Sequence, residues 1–306
     1  MNDSASQNDT PDTYRCGFAA IVGRPNVGKS TLLNTLLGRK ISIVSPKPQT
    51  TRHRILGILT RDDAQIIFVD TPGIHSGAKR AMNRHMNRAA LASLQDADVN
   101  IFVVEALVWT DEDRRVLGEL AKLNRPIILV INKTDKVFPK ERLLPFIEEL
   151  NRQAAFVEII PLSAMKGSNL DSLPATIAKH LPLSPPHFPP EQVTDRSEQF
   201  QAAEIVREKL TWRLRQELPY GLTVAIEQFK EEDGRLLVNA VIWVERSGQK
   251  AIVIGQGGEQ LKEVGRAARL EMSHLFGKSV HLELWVKVKE NWSDNETALR
   301  QLGYET

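Results

Sequence analysis

Eight residues of the chain, Gly23-Arg24-Pro25-Asn26-Val27-Gly28-Lys29-Ser30, follow the spacing G-x-x-x-x-G-K-S and lie between the apolar run FAAIV and a helical stretch opening near Lys29. A loop of this kind turns backbone N–H groups toward phosphate oxygens, with glycine where a Cβ would collide or where φ must be positive. Lys29 then supplies a point charge at the β- and γ-phosphates and Ser30 a hydroxyl for Mg²⁺. The positive end of the following helix adds to the same field. Gly23, Asn26, Val27, Gly28, Lys29, Ser30 and Thr31 are therefore the candidate phosphate-binding residues.

Three further groups follow in order. Asp70-Thr71-Pro72-Gly73 ends the run AQIIFVD, which places a carboxylate where it orders Mg²⁺ and its waters and a Gly73 N–H where it meets a γ-phosphate. Asn132-Lys133-Thr134-Asp135 ends PIILVIN, and an aspartate there accepts both N–H groups on the Watson–Crick edge of guanine, a pattern that adenine lacks. This reading selects GTP over ATP. Ser163-Ala164, after VEIIP, brings a backbone N–H to the guanine O6; the dipeptide carries meaning only beside the others.

These residues need a scaffold that delivers them to one edge. Between Cys16 and His180, strand-sized runs at 17–23, 54–59, 65–70, 100–105, 125–132 and 156–161 alternate with amphipathic stretches, the pattern of a doubly wound, mostly parallel α/β sheet. Residues 14–181 form this first domain. Five prolines in LPLSPPHFPP, 181–190, exclude helix and read as an extended, semi-rigid spacer, the linker being set at 182–195. An α+β domain is expected over 196–290. Its order is a helix over 197–217, strands at 222–229 and 236–244, a short strand at 250–254, a helix at 259–276 and a strand at 280–288, with a terminal helix in 291–306. Alternation at 222–227 is weak, which leaves the register there open.

Within this second domain, Gly255-Gln256-Gly257-Gly258 makes a G-x-x-G loop ahead of a helix. A KH module uses such a loop to clamp about four nucleotides of single-stranded backbone. Lys250, Ile254, Gly255, Gln256, Gly257, Gly258, Lys262 and Arg266 are the candidate RNA-binding residues, with Arg269 extending the basic series. Leu261, Val264, Ala268, Met272 and Leu275 recur at helical spacing and read as core.

GRPNVGKS, QTTRH, DTPG, NKTD and SA, taken together, resemble the five signature elements of the Era-like GTPases, a group within the translation-factor class. With the IGxxG loop, REKL at 207–210 and ELPYGLTVAIE at 217–227, the resemblance to the members that carry a C-terminal type II KH domain extends over nearly the whole chain. It implies a P-loop GTPase domain followed by a KH domain, GTP/GDP and Mg²⁺ as ligands, and switch I at 49–53. Thr50 or Thr51 would close on Mg²⁺ and the γ-phosphate, and both hydroxyls stay open. With Lys29, Asp70 and Gly73 they form the catalytic set, and Ser30, Thr51 and Asp70 the metal set. The resemblance further implies binding to the three-prime region of small-subunit ribosomal RNA, a role in small-subunit assembly and maturation, a monomer, and a cytoplasmic location with peripheral association to the inner membrane. The competing reading is a membrane-docked regulatory GTPase whose KH fold binds protein.

After DTPG, where Ras-like GTPases place a water-orienting Gln, this chain has Ile74, whose side chain neither donates nor accepts, so slow intrinsic hydrolysis is expected. Arg52, His53 and Arg54 read as solvated or RNA-facing charge rather than a substitute arginine finger. The composition closes off other classes. With 40 basic and 38 acidic residues the net charge is +2, too weak a field for coating nucleic acid by bulk charge, and no apolar run approaches bilayer length. A single cysteine, Cys16, fits a reducing compartment. The first 13 residues lack an apolar core of signal-peptide type and read as a disordered tail. The basic surplus of the second domain is confined to 246–289, with 8 basic and 4 acidic residues, so contact with a polyanion must be local.

Overall fold

The computed structural model describes residues 13–45, 47, 50–73, 80–214 and 221–304. Strands β1 (Arg15–Val22), β2 (Ile55–Thr60), β3 (Ala64–Asp70), β4 (Val99–Glu105), β5 (Ile127–Asn132) and β6 (Glu158–Pro161) form one sheet in the order β2-β3-β1-β4-β5-β6. All pairs are parallel except β2 with β3. Alternate residues of each strand enter different cores: Ala19 and Ile21 of β1 pack with Leu32, Phe68 and Leu173, whereas Ala20 and Val22 pack with Phe102, Val116 and Leu150. Burial on both faces explains the continuous apolar runs. Helices α1 (Lys29–Leu37) and α5 (Ser172–Ala178) cover one face, and α2 (Ala81–Asp96), α3 (Asp111–Leu120) and α4 (Leu143–Asn151) the other. The start of α3 is fixed by a capping box, in which Thr110 N–H donates to Asp113 Oδ2 at 2.9 Å and Asp113 N–H to Thr110 Oγ1 at 3.4 Å. Because the parallel strands all end on one side, the loops bearing residues 23–30, 70–73 and 132–135 meet at a single edge.

The proline-rich linker is extended, as expected, but it is a strap and not a free spacer. Cys16 N–H donates to Pro182 O at 3.1 Å, Gln65 binds the backbone of both His187 and Phe188, and Ile58 N–H donates to Val193 O at 2.8 Å. Proline costs nothing here, because the N–H groups that the linker donates to the first domain come from Ser184, His187 and Phe188, none of them a proline.

In the second domain, helix α6 (Glu198–Arg213) and helix α8 (Glu259–Phe276) pack on a three-stranded sheet, β7 (Leu222–Glu232), β8 (Arg235–Val244) and β9 (Ser279–Val288), with β7/β8 antiparallel and β8/β9 parallel. Ser197 caps α6 by accepting from Phe200 N–H at 3.2 Å. A bulge at Glu227 separates the pairs Ile226↔Ala240 and Gln228↔Asn239. The alternation at 222–227 is weak because the outer face there is also covered: Thr223 is buried, its hydroxyl 3.1 Å from Tyr304 Oη.

One expected element is wrong. The strand expected at 250–254 is helix α7 (Ser247–Ile254). Its β-branched run reads as a strand, but Gln249 Oε1 accepts the N–H groups of Glu245 and Arg246, closing a helix start, and of the run only Val253 is fully buried while Ile252 faces out. The domain order is therefore helix, two strands, two helices, strand. The terminal helix, α9 (Glu296–Gln301), carries more than expected: Trp292, Leu299 and Tyr304 pack on Ala81, Met82 and Met86 of α2 and fasten the two domains together. No helix among the described residues is long and apolar enough to cross a membrane. Residues 1–12, which hold most of the expected tail, lie outside the described residues.

Candidate functional site

The phosphate loop leaves β1 at Gly23 and enters α1 at Gly28, and both positions require glycine. Gly23 has φ 151° and a Cβ there would sit 2.3 Å from Val103 O; Gly28 has φ 103° and a Cβ would meet Asn132 Nδ2 at 2.3 Å. Asn26 turns the loop at φ 64°. Inside it, Lys29 Nζ donates to Gly23 O at 2.9 Å and Arg24 O at 3.0 Å. Lys29 is buried, and the loss of hydration pushes its pKa down to about 8.

Three hydroxyls converge on one carboxylate oxygen. Asp70 Oδ2 accepts from Ser30 Oγ at 2.9 Å, Ser42 Oγ at 2.8 Å and Thr51 Oγ1 at 3.3 Å, and Ser30 Oγ lies 2.9 Å from Thr51 Oγ1. Asp70 Oδ1 is buried with no hydrogen-bond partner among the described residues. Burial raises the Asp70 pKa, against the pull of Lys29 and the three hydroxyls. An unpartnered carboxylate oxygen beside two hydroxyls is a donor set suited to a hard, oxygen-seeking cation such as Mg²⁺. The geometry separates the two threonines: Thr51 stands beside Ser30 and Asp70, while Thr50 Oγ1 turns to Ser45 Oγ and Lys47 O, each at 2.6 Å. Asn26, Gly28, Lys29, Ser30, Thr31 and Gly73 line one cleft with Thr50, Thr51 and Lys133. Ile74 lies outside the described residues, as does Gln49.

On the base side, Asn132 Nδ2 donates to Val27 O at 2.8 Å and Asn132 Oδ1 accepts from Ala164 N–H at 2.9 Å. Asn132 is thus a strut between loops. Asp135 is exposed, with Oδ1 held by Ser163 Oγ at 2.5 Å. Lys133, at φ 63°, reaches Glu105 at 2.7 Å. Arg24 is committed to Asp113 and Glu105 at 3.2 and 3.4 Å, so it braces the loop against α3.

The reading of Arg52 and His53 as solvated charge does not hold. Arg52 is 2% exposed and donates to Leu222 O at 2.7 Å and toward Tyr304 Oη at 3.5 Å. His53 stacks on Tyr304 at 4.5 Å and meets Phe200 edge-on at 5.2 Å; loss of hydration pushes its pKa down to about 4. Arg54 alone is exposed. Sequence reasoning also passed over Ser42, which sits in no motif, and the buried trio Glu204, Arg207 and Glu208 of α6, of which only Arg207 and Glu208 fall in the string REKL.

In the second domain, a groove between α8 and β9 is lined by Gly258, Lys262, Arg266 and Arg269, with Leu261, Leu282 and Leu284 also in its walls. Leu261 was expected wholly in the core; it is partly buried and forms groove wall, whereas Val264, Ala268 and Met272 are core. Gly255 and Gln256 line a neighbouring hollow with Arg213 and Gln260. Lys250 and Ile254 lie on α7 and line neither; Ile254 packs against the core. A basic wall, leucine contacts for bases and a glycine rim at a helix N-terminus suit a short single strand of RNA.

Residues 18–133 match the family model described as a 50S ribosome-binding GTPase, and residues 217–293 that of a KH domain. GTPase Era of Coxiella burnetii is 55% identical over 293 residues, covering 96% of this chain and 99% of the relative. GTPase Era of Actinobacillus pleuropneumoniae is 56% identical over 299 residues, covering 97% and 98%. Among solved structures, an Aquifex aeolicus Era variant bound to GDP·AlF4⁻ superimposes with a TM-score of 0.92 at 44% identity, covering 95% of this chain and all of that one. Era in complex with MgGDPNP and nucleotides 1506–1542 of 16S ribosomal RNA gives a TM-score of 0.92 at 44% identity, covering 96% of this chain and all of that one.

Proposed function

The chain belongs to the Era family of GTPases, and from that premise we propose that it is a GTP-hydrolysing switch whose KH groove takes the single-stranded three-prime region of small-subunit ribosomal RNA during assembly and maturation of that subunit. The observation that carries the switch is the convergence of Ser30 and Thr51 on Asp70, since Thr51 comes from a loop and reaches this point only when that loop is folded over the cleft.

In this reading the Gly23–Thr31 loop and the N-terminus of α1 hold the phosphates, and Lys29 places fixed positive charge on the β–γ side. Ser30, Thr51 and Asp70 hold Mg²⁺, which when bound neutralises charge building on the β- and γ-phosphate oxygens. The Gly73 N–H meets the γ-phosphate. Asp135, steadied by Ser163, accepts from the guanine edge, and Asn132, by holding the Ala164 N–H, fixes the 163–164 turn beside it. Hydrolysis yields GDP and phosphate. Ile74 offers no polar group, so the attacking water is aligned by backbone or by an outside group and the intrinsic rate is low. The protein acts as a monomer in the cytoplasm and associates peripherally with the inner membrane.

The deciding experiment measures affinity for a single-stranded ribosomal RNA three-prime fragment with a non-hydrolysable GTP analogue, with GDP and with no nucleotide. Tighter binding with the GTP analogue, lost in Gly257→Asp, is expected. Equal affinity in all three states defeats the switch, because a ligand shifts an equilibrium only through differential affinity.

A further inference from the structure

Helix α6 of the second domain holds the loop that carries Thr51. Arg207 is buried, forks onto Glu204 at 2.7 and 2.6 Å, and donates through Nη2 to Thr50 O at 2.5 Å. One residue on, Glu208 Oε1 accepts from Val44 N–H at 2.9 Å and is itself held by Lys40 and Lys209. One turn further, Trp212 Nε1 donates to Val44 O at 2.9 Å. Residues 204, 207, 208 and 212 share one face of the helix by their spacing of three and four. That face grips the loop at both ends: Val44, whose neighbours Ile43 and Ser45 line the nucleotide cleft with it, and the Thr50 carbonyl, which belongs to the peptide leading into Thr51.

We propose that Arg207, with Glu208 and Trp212, is a positioning residue for GTP hydrolysis: by fixing the plane of the Thr50–Thr51 peptide, the KH domain sets Thr51 Oγ1 against Ser30 and Asp70 and so assembles the Mg²⁺ site from outside the GTPase domain. This rests on the reading of Ser30, Thr51 and Asp70 as the metal set. A charge on α6 fixed by Glu204 has no freedom to follow the loop, so a rotation of the second domain moves Thr50 and the metal site together. Neither Arg207 nor Glu204 lines the nucleotide cleft. Nucleotide without a γ-phosphate needs no Thr51 and should bind independently of α6.

Two variants test it on the full chain. Arg207→Lys keeps a cation for Glu204 but lacks the planar fork that serves Glu204 and Thr50 O at once. Trp212→Phe removes one donor from a ring that is 57% exposed, which leaves folding intact. The expected result for Arg207→Lys is a single-turnover GTP hydrolysis rate lower by about tenfold and a half-saturating Mg²⁺ concentration higher by about fivefold, with GDP affinity within about twofold of wild type. Trp212→Phe should move rate and Mg²⁺ dependence the same way by about two- to threefold. Wild-type Mg²⁺ dependence in both variants overturns the proposal, as does a fall in GDP affinity parallel to the rate. If Arg207→Lys fails to fold, Trp212→Phe decides alone. Were wild-type hydrolysis independent of Mg²⁺ or insensitive to Ser30→Ala, the metal-site reading itself would fall, a result distinct from a wild-type site that ignores α6.

Discussion

The side-chain amide of Asn132 donates to the carbonyl of Val27 at 2.8 Å, binding the end of β5 to the middle of the phosphate loop. Its oxygen takes the Ala164 N–H at 2.9 Å, so a buried residue with no free polar atom couples phosphate binding to base recognition. Asn132→Ala leaves a buried carbonyl and a buried N–H unsatisfied, each costing about 1–3 kcal/mol. GTP and GDP affinities are expected to fall together by roughly 100-fold or more in titration calorimetry. A loss confined to GTP would show that the strut acts on the γ-phosphate and not on the shared scaffold.

Lys29, with a pKa of about 8, makes nucleotide binding pH-dependent. Below pH 7 its ammonium is charged with or without nucleotide, and this group adds no slope. Above pH 8 the free protein loses the proton, whereas bound phosphates hold it, so binding takes up a proton and affinity falls by up to about tenfold per pH unit. Calorimetry at pH 9 in buffers of different ionisation enthalpy should show that uptake. Its absence, with unchanged affinity between pH 7 and 9, would mean that Lys29 stays charged in the free loop.

His53 imposes a second pH dependence, of stability. Its pKa is about 4 in the folded protein and about 6.5 when unfolded, so between these values the unfolded chain binds the extra proton. The contribution is full above pH 6.5, is lost as pH falls toward 4, and amounts to about 3 kcal/mol. His53→Phe keeps a ring against Tyr304 and Phe200 and removes the titration. The variant should lose less stability than wild type between pH 7 and pH 4.5 in denaturant unfolding, and equal losses would place the sensitive group elsewhere.

Most of the scaffold was legible because its signals are local. A strand buried on both faces writes itself as an apolar run, so the sheet could be placed from residue order, and a phosphate loop needs its glycines and lysine adjacent in sequence, which is why Lys29, Asp70 and Asp135 could be read as candidates. What failed was decided at a distance. Arg52 and His53 look like surface charge until Leu222 and Tyr304, about 170 and 250 residues further on, close over them. Ser42 gains meaning only from Asp70, and the linker only from the edges of β1 and β2 that it covers. The strand expected at 250–254 is a different failure: a short β-branched run carries no period long enough to separate helix from strand, and Gln249, one residue before it, is what starts the helix.

The glycines of the second domain's loop are expected to differ in what they tolerate. Gly255 has φ 76°, and a Cβ there would stand 2.6 Å from Gln260 Cβ and 3.1 Å from Gln260 N, so Gly255→Ala forces the backbone of the first turn of α8 to move. Gly257 has φ 61° and no heavy atom within 4 Å of the added carbon, so Gly257→Ala carries only the left-handed penalty of about 1–2 kcal/mol and keeps the loop on its path. Because RNA backbone must pass close to this loop, shifting the turn should matter more than adding a methyl. Gly255→Ala is expected to weaken binding of the three-prime fragment by at least about tenfold and Gly257→Ala by about two- to fivefold, with GDP affinity unchanged in both, since neither residue lines the nucleotide cleft. Equal losses in the two variants would make close approach of the phosphates at Gly257, and not the packing of Gly255 against Gln260, the constraint that fixes this loop as glycine-rich.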